Sequence, residues 1–466
     1  MQWLALWPLV FFIIWLLIDQ KTSIIKIALV TLMVAVIEAV IWWKMPVLAL
    51  GGIFWEGVVV AFDILVIVFG AIFFLELLKK YRVMESLATY LNNFSDDRRI
   101  QVILLGWFLE AFLEGIAGFG TPAIVVGPML LVLSLSPLQA MIIALLGNGV
   151  PVPFGAAGTP IRVGLARVSN IDLLNLGKIT ARFNMVGMIV PVMMLWVAVA
   201  KEKNRVKSFW EKVPVALWAG FLFTGMSYLV SLMGIELPSI LGSVLALTVF
   251  LLTVKGNRED EDRKAILPLK QVIIPYALLI ALMLLSNVLG WSINPGWLFL
   301  VAAVFSNFYF KERVTEWGNF LKKAGQSSWP AFILIVVMAS LVGVLRESGM
   351  MTMISRLFTN GFLPQLAPWV GAIGSFVTGS ATVSNLMFGE AVNQAAMEMK
   401  MDPVVVLAWL LVGGGAGNMI AIADAVAAKA IVGGKESLRE IIVRVLPYCV
   451  IYLGLCSVLT LIFFWG

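Results

Sequence analysis

The 466-residue chain contains no histidine and only two cysteines. Histidine is the side chain that ordinarily titrates near neutral pH and the commonest metal ligand, so proton chemistry here must run on carboxylates and a histidine-built metal site is excluded. Cys449 and Cys456 lie on one face of the last apolar segment, where they read as small hydrophobes. Neither a disulfide framework nor a thiol site has a basis in that spacing. Charge is also scarce: 13% of residues are charged, against about 25% in soluble domains.

What fills the chain instead is hydrocarbon. Apolar residues make up 61%, with 17 Trp and a mean hydropathy of +0.99. An apolar stretch of about 20 residues crosses a bilayer as a helix, and such stretches occupy most of the sequence between short charged loops. The pattern predicts an all-α integral membrane protein of roughly 12 to 14 membrane segments in a cytoplasmic-type (inner) membrane of a prokaryote, because the segments are helical runs rather than alternating barrel strands. The run Leu4 to Ile18 lacks a basic flank and a small-residue cleavage site and reads as a retained first span.

The net charge of +6 lies in short loops: Lys79, Lys80 and Arg82; Arg98 and Arg99; and clusters within 201–212, 255–270, 311–323 and 435–444. The positive-inside rule places these loops in the cytoplasm, and the distribution argues for the lipid bilayer and against nucleic acid as partner. Between clusters there is usually room for two spans, as in Val213 to Met233 and Leu237 to Val254. Val83 to Phe94 reads as an amphipathic helix along the cytoplasmic interface.

Two stretches, one per half, break the apolar pattern with Gly and Pro. EGIAGFGTP (Glu114 to Pro122) precedes SPLQAMIIALLGNGVPVPFGAAGTPIRVG (Ser136 to Gly164), and TGSATVSN (Thr378 to Asn385) precedes DPVVVLAWLLVGGGAGNMIAIADAVAAKAIVGG (Asp402 to Gly434). Pro137 and Pro403 each open an apolar run that reaches a Gly cluster at the same offset, which favours duplication over coincidence. Breaks free N–H groups that attract an anion and carbonyls that hold a cation, and broken backbone at membrane depth survives only inside protein or along a wet cavity. Gly118, Gly120, Thr121, Asn148, Thr159, Thr378, Ser380, Thr382, Ser384, Asn385 and Asn418 therefore read as a lining for a small polar anion; close helix packing is the alternative for some of them. The expected organisation is one polytopic domain over 1–466, with a first repeat core at 100–180, peripheral spans at 181–325, a second repeat core at 326–434 and a final span at 435–466.

Charges inside these stretches are sharper markers. Glu110 and Glu114 lie one turn apart in a segment without a basic residue from Gln101 to Ile161. Each must be paired, protonated or wet; Glu110 reads as a headgroup-level residue and Glu114, beside the first break, as a proton carrier. Arg162 follows GAAGTP and is either a carboxylate clamp or a partner of Asp172, or snorkels to the interface beside Arg167. Asp424 is a second proton carrier, with Lys429 or Arg162 as possible partner. Arg346 beside Glu347 reads as an interfacial ion pair.

EGIAGFGTP, NGVPVPFGAAGTPI and TGSATVSNLMFG closely resemble signature segments of the L-lactate permease family, bacterial transporters of lactate and glycolate, most strongly over Phe108 to Gly177 and Gly371 to Val432. The resemblance implies uptake of a small 2-hydroxymonocarboxylate with a proton, two repeats with re-entrant hairpins, and an elevator-like moving domain. The chain departs from the family where GSDTSSN becomes GSATVSN, with Ala381 in place of Asp, and where a Lys is replaced by Asn418; Arg162 and Asp424 stand at positions expected to be uncharged. These departures raise the expectation that Arg162 and Asp424 rebuild the site, leaving a sulfonate or dicarboxylate open as substrate.

An anion entering against a negative-inside potential costs about 2.3 kcal/mol per charge at 100 mV, so accumulation needs a cotransported cation. The residues alone leave protons and sodium open, and the family resemblance favours protons. An anion channel is the remaining transport alternative. No nucleophile with a base, metal cluster or phosphate loop is visible, so enzyme chemistry and a cofactor are not expected. A homodimer through the Trp-rich peripheral spans is expected by analogy.

Overall fold

The computed structural model describes residues 2–18, 22–118, 120–166, 168, 170–256, 264–291, 293–310, 317–359 and 362–465. Among the described residues the regular structure is helical throughout. Nine helices among these residues are long and apolar enough to cross a membrane, one further bent pair passes the same test, and four shorter apolar helices accompany them. The molecule is a multi-pass inner-membrane protein.

In chain order, α1 (Gln2–Ile18) and α2 (Ile24–Ile41) lead into the long α3 (Ala49–Lys80) and the short α4 (Val83–Asn92). Next, α5 (Arg98–Ile103), a π-helical turn (Leu104–Leu109) and α6 (Glu110–Ala117) form one arm of a hairpin whose other arm is α7 (Thr121–Leu131). The first broken helix consists of α8 (Pro137–Gly149), a 3-10 turn (Val152–Phe154) and α9 (Gly155–Arg162). Six peripheral helices follow: α10 (Leu173–Phe183), α11 (Val190–Ala198), α12 (Arg205–Ser231), α13 (Ile240–Thr253), α14 (Leu269–Val288) and α15 (Pro295–Tyr309). The order of the first half then recurs: long α16 (Trp317–Glu347), short α17 (Met350–Phe358), a hairpin of α18 (Leu363–Thr378) and α19 (Ala381–Glu398), and a second broken helix, α20 (Pro403–Asn418) with α21 (Ile422–Val432). The chain closes with α22 (Leu438–Trp465), which buries Cys449 and Cys456 as apolar residues.

Local sequence explains the repeated starts. Ser136 makes a capping box with Gln139 and Asp402 accepts the Val404 N–H, each directly before a proline whose missing N–H costs nothing at that position. The two long helices α3 and α16 pack along one another, and Gly57 is required there because a Cβ would lie 3.0 Å from the Val336 carbonyl. The first break contains left-handed backbone: Ala156, Ala157 and Gly158 all have positive φ, and α8 and α9 bend by 58°.

Sidedness follows from the basic clusters. The Arg98 and Lys323 ends of α5 and α16 face the cytoplasm, so the first hairpin enters from that side. At 31 residues α16 crosses the membrane, and the second hairpin therefore enters from the opposite side. The hairpins and broken helices interlock: α21 packs on α7, and α9 packs on α19. α4 forms a helix over most of the expected stretch Val83 to Phe94, and Arg346 lies 4.0 Å from Glu347 with both exposed.

Candidate functional site: a cavity where two hairpin tips meet two broken helices

The tips turn on glycine. Gly118 and Gly120 bracket the first with φ of 59° and 70°, and Gly379 turns the second with φ 70°. Such values favour glycine, which has no Cβ to clash. Ser380 caps α19 by accepting the Val383 N–H, so the Ala381 and Thr382 N–H groups remain first-turn donors without an intrahelical acceptor.

Between the tips lies a cavity of about 20 Å³, room for about one water molecule. Glu114, Gly118, Thr159, Ser380, Thr382 and Asn418 are on its walls, with Gly155, Gly379 and Ala381 beside them. No Lys or Arg lines it. The positive potential available to an anion is therefore the N-terminus of the 18-residue α19.

Behind this cavity stands a polar lattice. Asp424 is buried and accepts hydrogen bonds from Asn418 Nδ2 at 2.7 Å and Asn148 Nδ2 at 3.3 Å. Ser375 Oγ donates to Asn418 Oδ1 at 3.1 Å, fixing the amide so that its NH₂ faces Asp424. Gly120 presses directly on the Asp424 carboxylate, which places that group at the start of α7, where the helix dipole favours a negative charge. Asn385 Nδ2 donates to the Pro160 carbonyl at 3.1 Å and ties the second hairpin to the first break; Ser384 Oγ donates to Gly371 O within its own hairpin.

Of the residues expected in the site, Gly118, Thr159, Ser380, Thr382, Asn418 and Glu114 share the cavity wall, whereas Gly120, Asn148 and Asp424 form the second layer. Ser384 and Asn385 hold the hairpin, Thr378 Oγ1 donates to Gly374 O, and Thr121 lies outside the wall with its N–H bonded to Gly118 O. The expected ion pairs of Arg162 with Asp424 or Asp172, and of Asp424 with Lys429, do not form. Arg162 pairs with Glu236 in the α12–α13 connection, Asp172 caps α10, and Asp424 is held by two amides. The physical reason is the left-handed run at 156–158, after which α9 carries Arg162 toward the connection instead of the cavity. Arg167 lies outside the described residues. Glu110, expected at the headgroups, is fully buried. Sequence reasoning does not reach Glu236, whose short connection gives no periodic signal, or Gly379 as a lining position; Ala381, the departure from the family pattern, also lies on the wall.

Comparison with known proteins agrees with this architecture. The fold is similar to that of the Alcanivorax borkumensis YdaH transporter, whose crystal structure shows an unusual topology: TM-score 0.50, 13% identity, covering 89% of this chain and 87% of that one. In sequence, the chain is 28% identical over 388 residues to an L-lactate permease of Streptococcus iniae, covering 75% of this chain and 81% of that protein. It is 27% identical to the L-lactate permease of Bacillus subtilis (93% and 91% covered) and 25% identical to the glycolate permease GlcA of Escherichia coli (98% and 94%). A family model described as L-lactate permease matches residues 2–285 and 269–465, so that nearly the whole chain is accounted for: the protein belongs to the L-lactate permease family.

Proposed function

We propose that the protein is a secondary active carrier of a small 2-hydroxymonocarboxylate, of the lactate and glycolate class, moved together with a proton. Family membership supports the substrate class and the assignment as a carrier rather than an enzyme. The observation that carries the coupling is the position of Glu114 on the same cavity wall as the α19 N-terminus. A carboxylate substrate held by the Ala381 and Thr382 N–H groups beside an ionised Glu114 is repelled. The same substrate beside a protonated Glu114 is not, so anion and proton bind together. The Thr382, Ser380 and Thr159 hydroxyls supply partners for the 2-hydroxyl group.

In this proposal, residues 100–180 and 326–434 form two repeat cores that move as one body against the peripheral helices, each hairpin gating its own side of the membrane. A cavity too small for the substrate means that a hairpin must part to admit it. A homodimer through the peripheral spans would hold the scaffold still, and crosslinking in native membranes tests that assembly.

Uptake of labelled L-lactate into liposomes holding the purified protein tests the reading, under an inward proton gradient, a sodium gradient or neither. Proton-driven accumulation is expected. Sodium-driven accumulation without a proton response would overturn the coupling, and absence of lactate and glycolate uptake by folded protein would overturn the substrate class.

A further inference from the structure

Glu110 has no assigned task in the binding scheme, yet its placement is costly. It is fully buried and neither carboxylate oxygen has a hydrogen-bond partner. The charged groups acting on it among the described residues are Glu114, one turn along the same helix, and Asp424 on α21. Both are acids. An ionised carboxylate left without a cation or hydrogen bonds in such a place is strongly disfavoured, and a glutamine or leucine would fill the space at lower cost.

Its surroundings are shaped around it. Gly147 on α8 packs first against the Gly106 carbonyl of the π-helical turn, and beside that contact a Cβ there would come 3.1 Å from Glu110 Cγ. The next residue, Asn148, gives its NH₂ group to Asp424 while its buried Oδ1 has no partner. Directly before Glu110 the helix widens into the π-helical turn Leu104–Leu109, a distortion that recurs at functional sites. Glu110 also lies on the cytoplasmic side of Glu114, because the arm runs from the basic Arg98 end up to the tip.

We propose that Glu110 is a proton relay that takes the coupled proton from Glu114 and passes it toward the cytoplasm. This inference rests on the proton-coupled reading above. In the step, Glu110 first gives its own proton to cytoplasmic water; the Glu114 carboxyl O–H bond then breaks and an O–H bond forms on the vacated Glu110 carboxylate. The two side chains stand at the i,i+4 spacing that brings helix neighbours together. The transfer leaves Glu114 ionised beside the bound anion, which is then repelled from the cavity, and returns Glu110 to its protonated form. Substrate release and proton release thereby become one sequence of events.

The test compares wild type, Glu110→Gln and Glu110→Asp as full chains in liposomes, with L-lactate as probe. Two readouts are taken: exchange of labelled for unlabelled lactate without a gradient, and net accumulation driven by a proton gradient of one pH unit, which for one proton per anion amounts to about tenfold. Glu110→Gln should exchange lactate within about twofold of wild type while its accumulation falls to the level without a gradient, and Glu110→Asp should keep the proton response. Wild-type accumulation by Glu110→Gln would overturn the relay and leave the coupled reading standing. Loss of exchange by both variants, with thermal unfolding unchanged, would also overturn it. A wild type that ignores the proton gradient would sink the coupled reading and the relay together, and shows in the wild-type arm alone.

Discussion

The Arg162 guanidinium is paired with the carboxylate of Glu236, a residue of the connection between α12 and α13. Arg162 ends the first broken helix and Glu236 belongs to the periphery, so the pair joins the site's backbone to the surrounding helices. The same connection reaches further in: Ser239 Oγ donates to the Pro151 carbonyl at the break, and Gly115 is required because a Cβ would lie 2.7 Å from the Ile240 nitrogen. The pair acts as a fastener between two groups of helices.

If so, Arg162→Gln and Glu236→Gln should slow transport by a similar factor, leave the substrate KM within about twofold, and show a coupling energy of about 1 kcal/mol or more in a double-mutant cycle. The exchanged pair Arg162→Glu with Glu236→Arg should recover most of the rate. A large rise in KM for Arg162→Gln alone would instead make Arg162 a substrate clamp, against its place outside the cavity wall.

Ala381 occupies the first turn of α19, and Asn418 faces the same cavity. An acid at position 381 would sit where the substrate carboxylate is proposed to bind. Ala381→Asp should therefore raise the substrate KM at least about tenfold, consistent with a like-charge term of about 1.4 kcal/mol. Adding Asn418→Lys supplies a neutralising cation and should return the KM toward wild type. Binding measured by tryptophan fluorescence checks both, and no recovery in the double variant would show that the two positions do not compensate.

Close helix contacts should separate glycines by what faces them. A Cβ at Gly147 would run into the Gly106 carbonyl oxygen of the π-helical turn, so Gly147→Ala should destabilise by about 1–3 kcal/mol. Gly225, inside α12, has nothing within 4 Å of such an atom, and Gly225→Ala should be neutral or stabilising by up to about 1 kcal/mol. Thermal unfolding in detergent distinguishes them, and equal effects would refute the packing account.

Asp97 caps α5 at the cytoplasmic face, 2.7 Å from Arg99 Nη2 and 3.0 Å from Lys212 Nζ. Burial pushes its carboxyl up, but hydrogen bonds from Arg99 and Lys212 outweigh this and hold it down at about 2. Because the folded value lies below the ordinary one, its contribution is complete above about pH 4 and decays as pH falls toward 2. The stability difference between wild type and Asp97→Asn should be constant from neutral pH to about 4 and shrink below it. A difference unchanged down to pH 2 would contradict the assignment.

Class, sidedness and the position of the breaks were legible in the sequence because each rests on a local signal: apolar length, loop charge, and Gly and Pro at fixed offsets. The hairpin tips and cavity wall followed from the same motifs, as Gly118, Ser380, Thr382 and Asn418 demonstrate. Pairing was not legible. Asp424 lies six residues from Asn418 and 276 from Asn148, and Arg162 lies 74 from Glu236. Two of these three contacts are long-range, and nothing local to Arg162 discloses which way the left-handed turn at 156–158 will send it. Sequence separates Glu114 from Glu110 by its place beside the break, but the full burial of Glu110 is visible only in its neighbours in space.

The hooking of each hairpin onto the broken helix of the other half has a consequence for ancestry and for engineering. Neither half builds the cavity between the tips alone: the tip made by one is roofed by backbone that the other supplies from the opposite membrane face. A chain of half this length would hold a substrate only if two copies met upside down relative to one another, so a fusion joining them would have needed an odd number of crossings in between. With α10 and α11 forming one apolar span, the six peripheral helices make an odd number of crossings, as such a fusion would require.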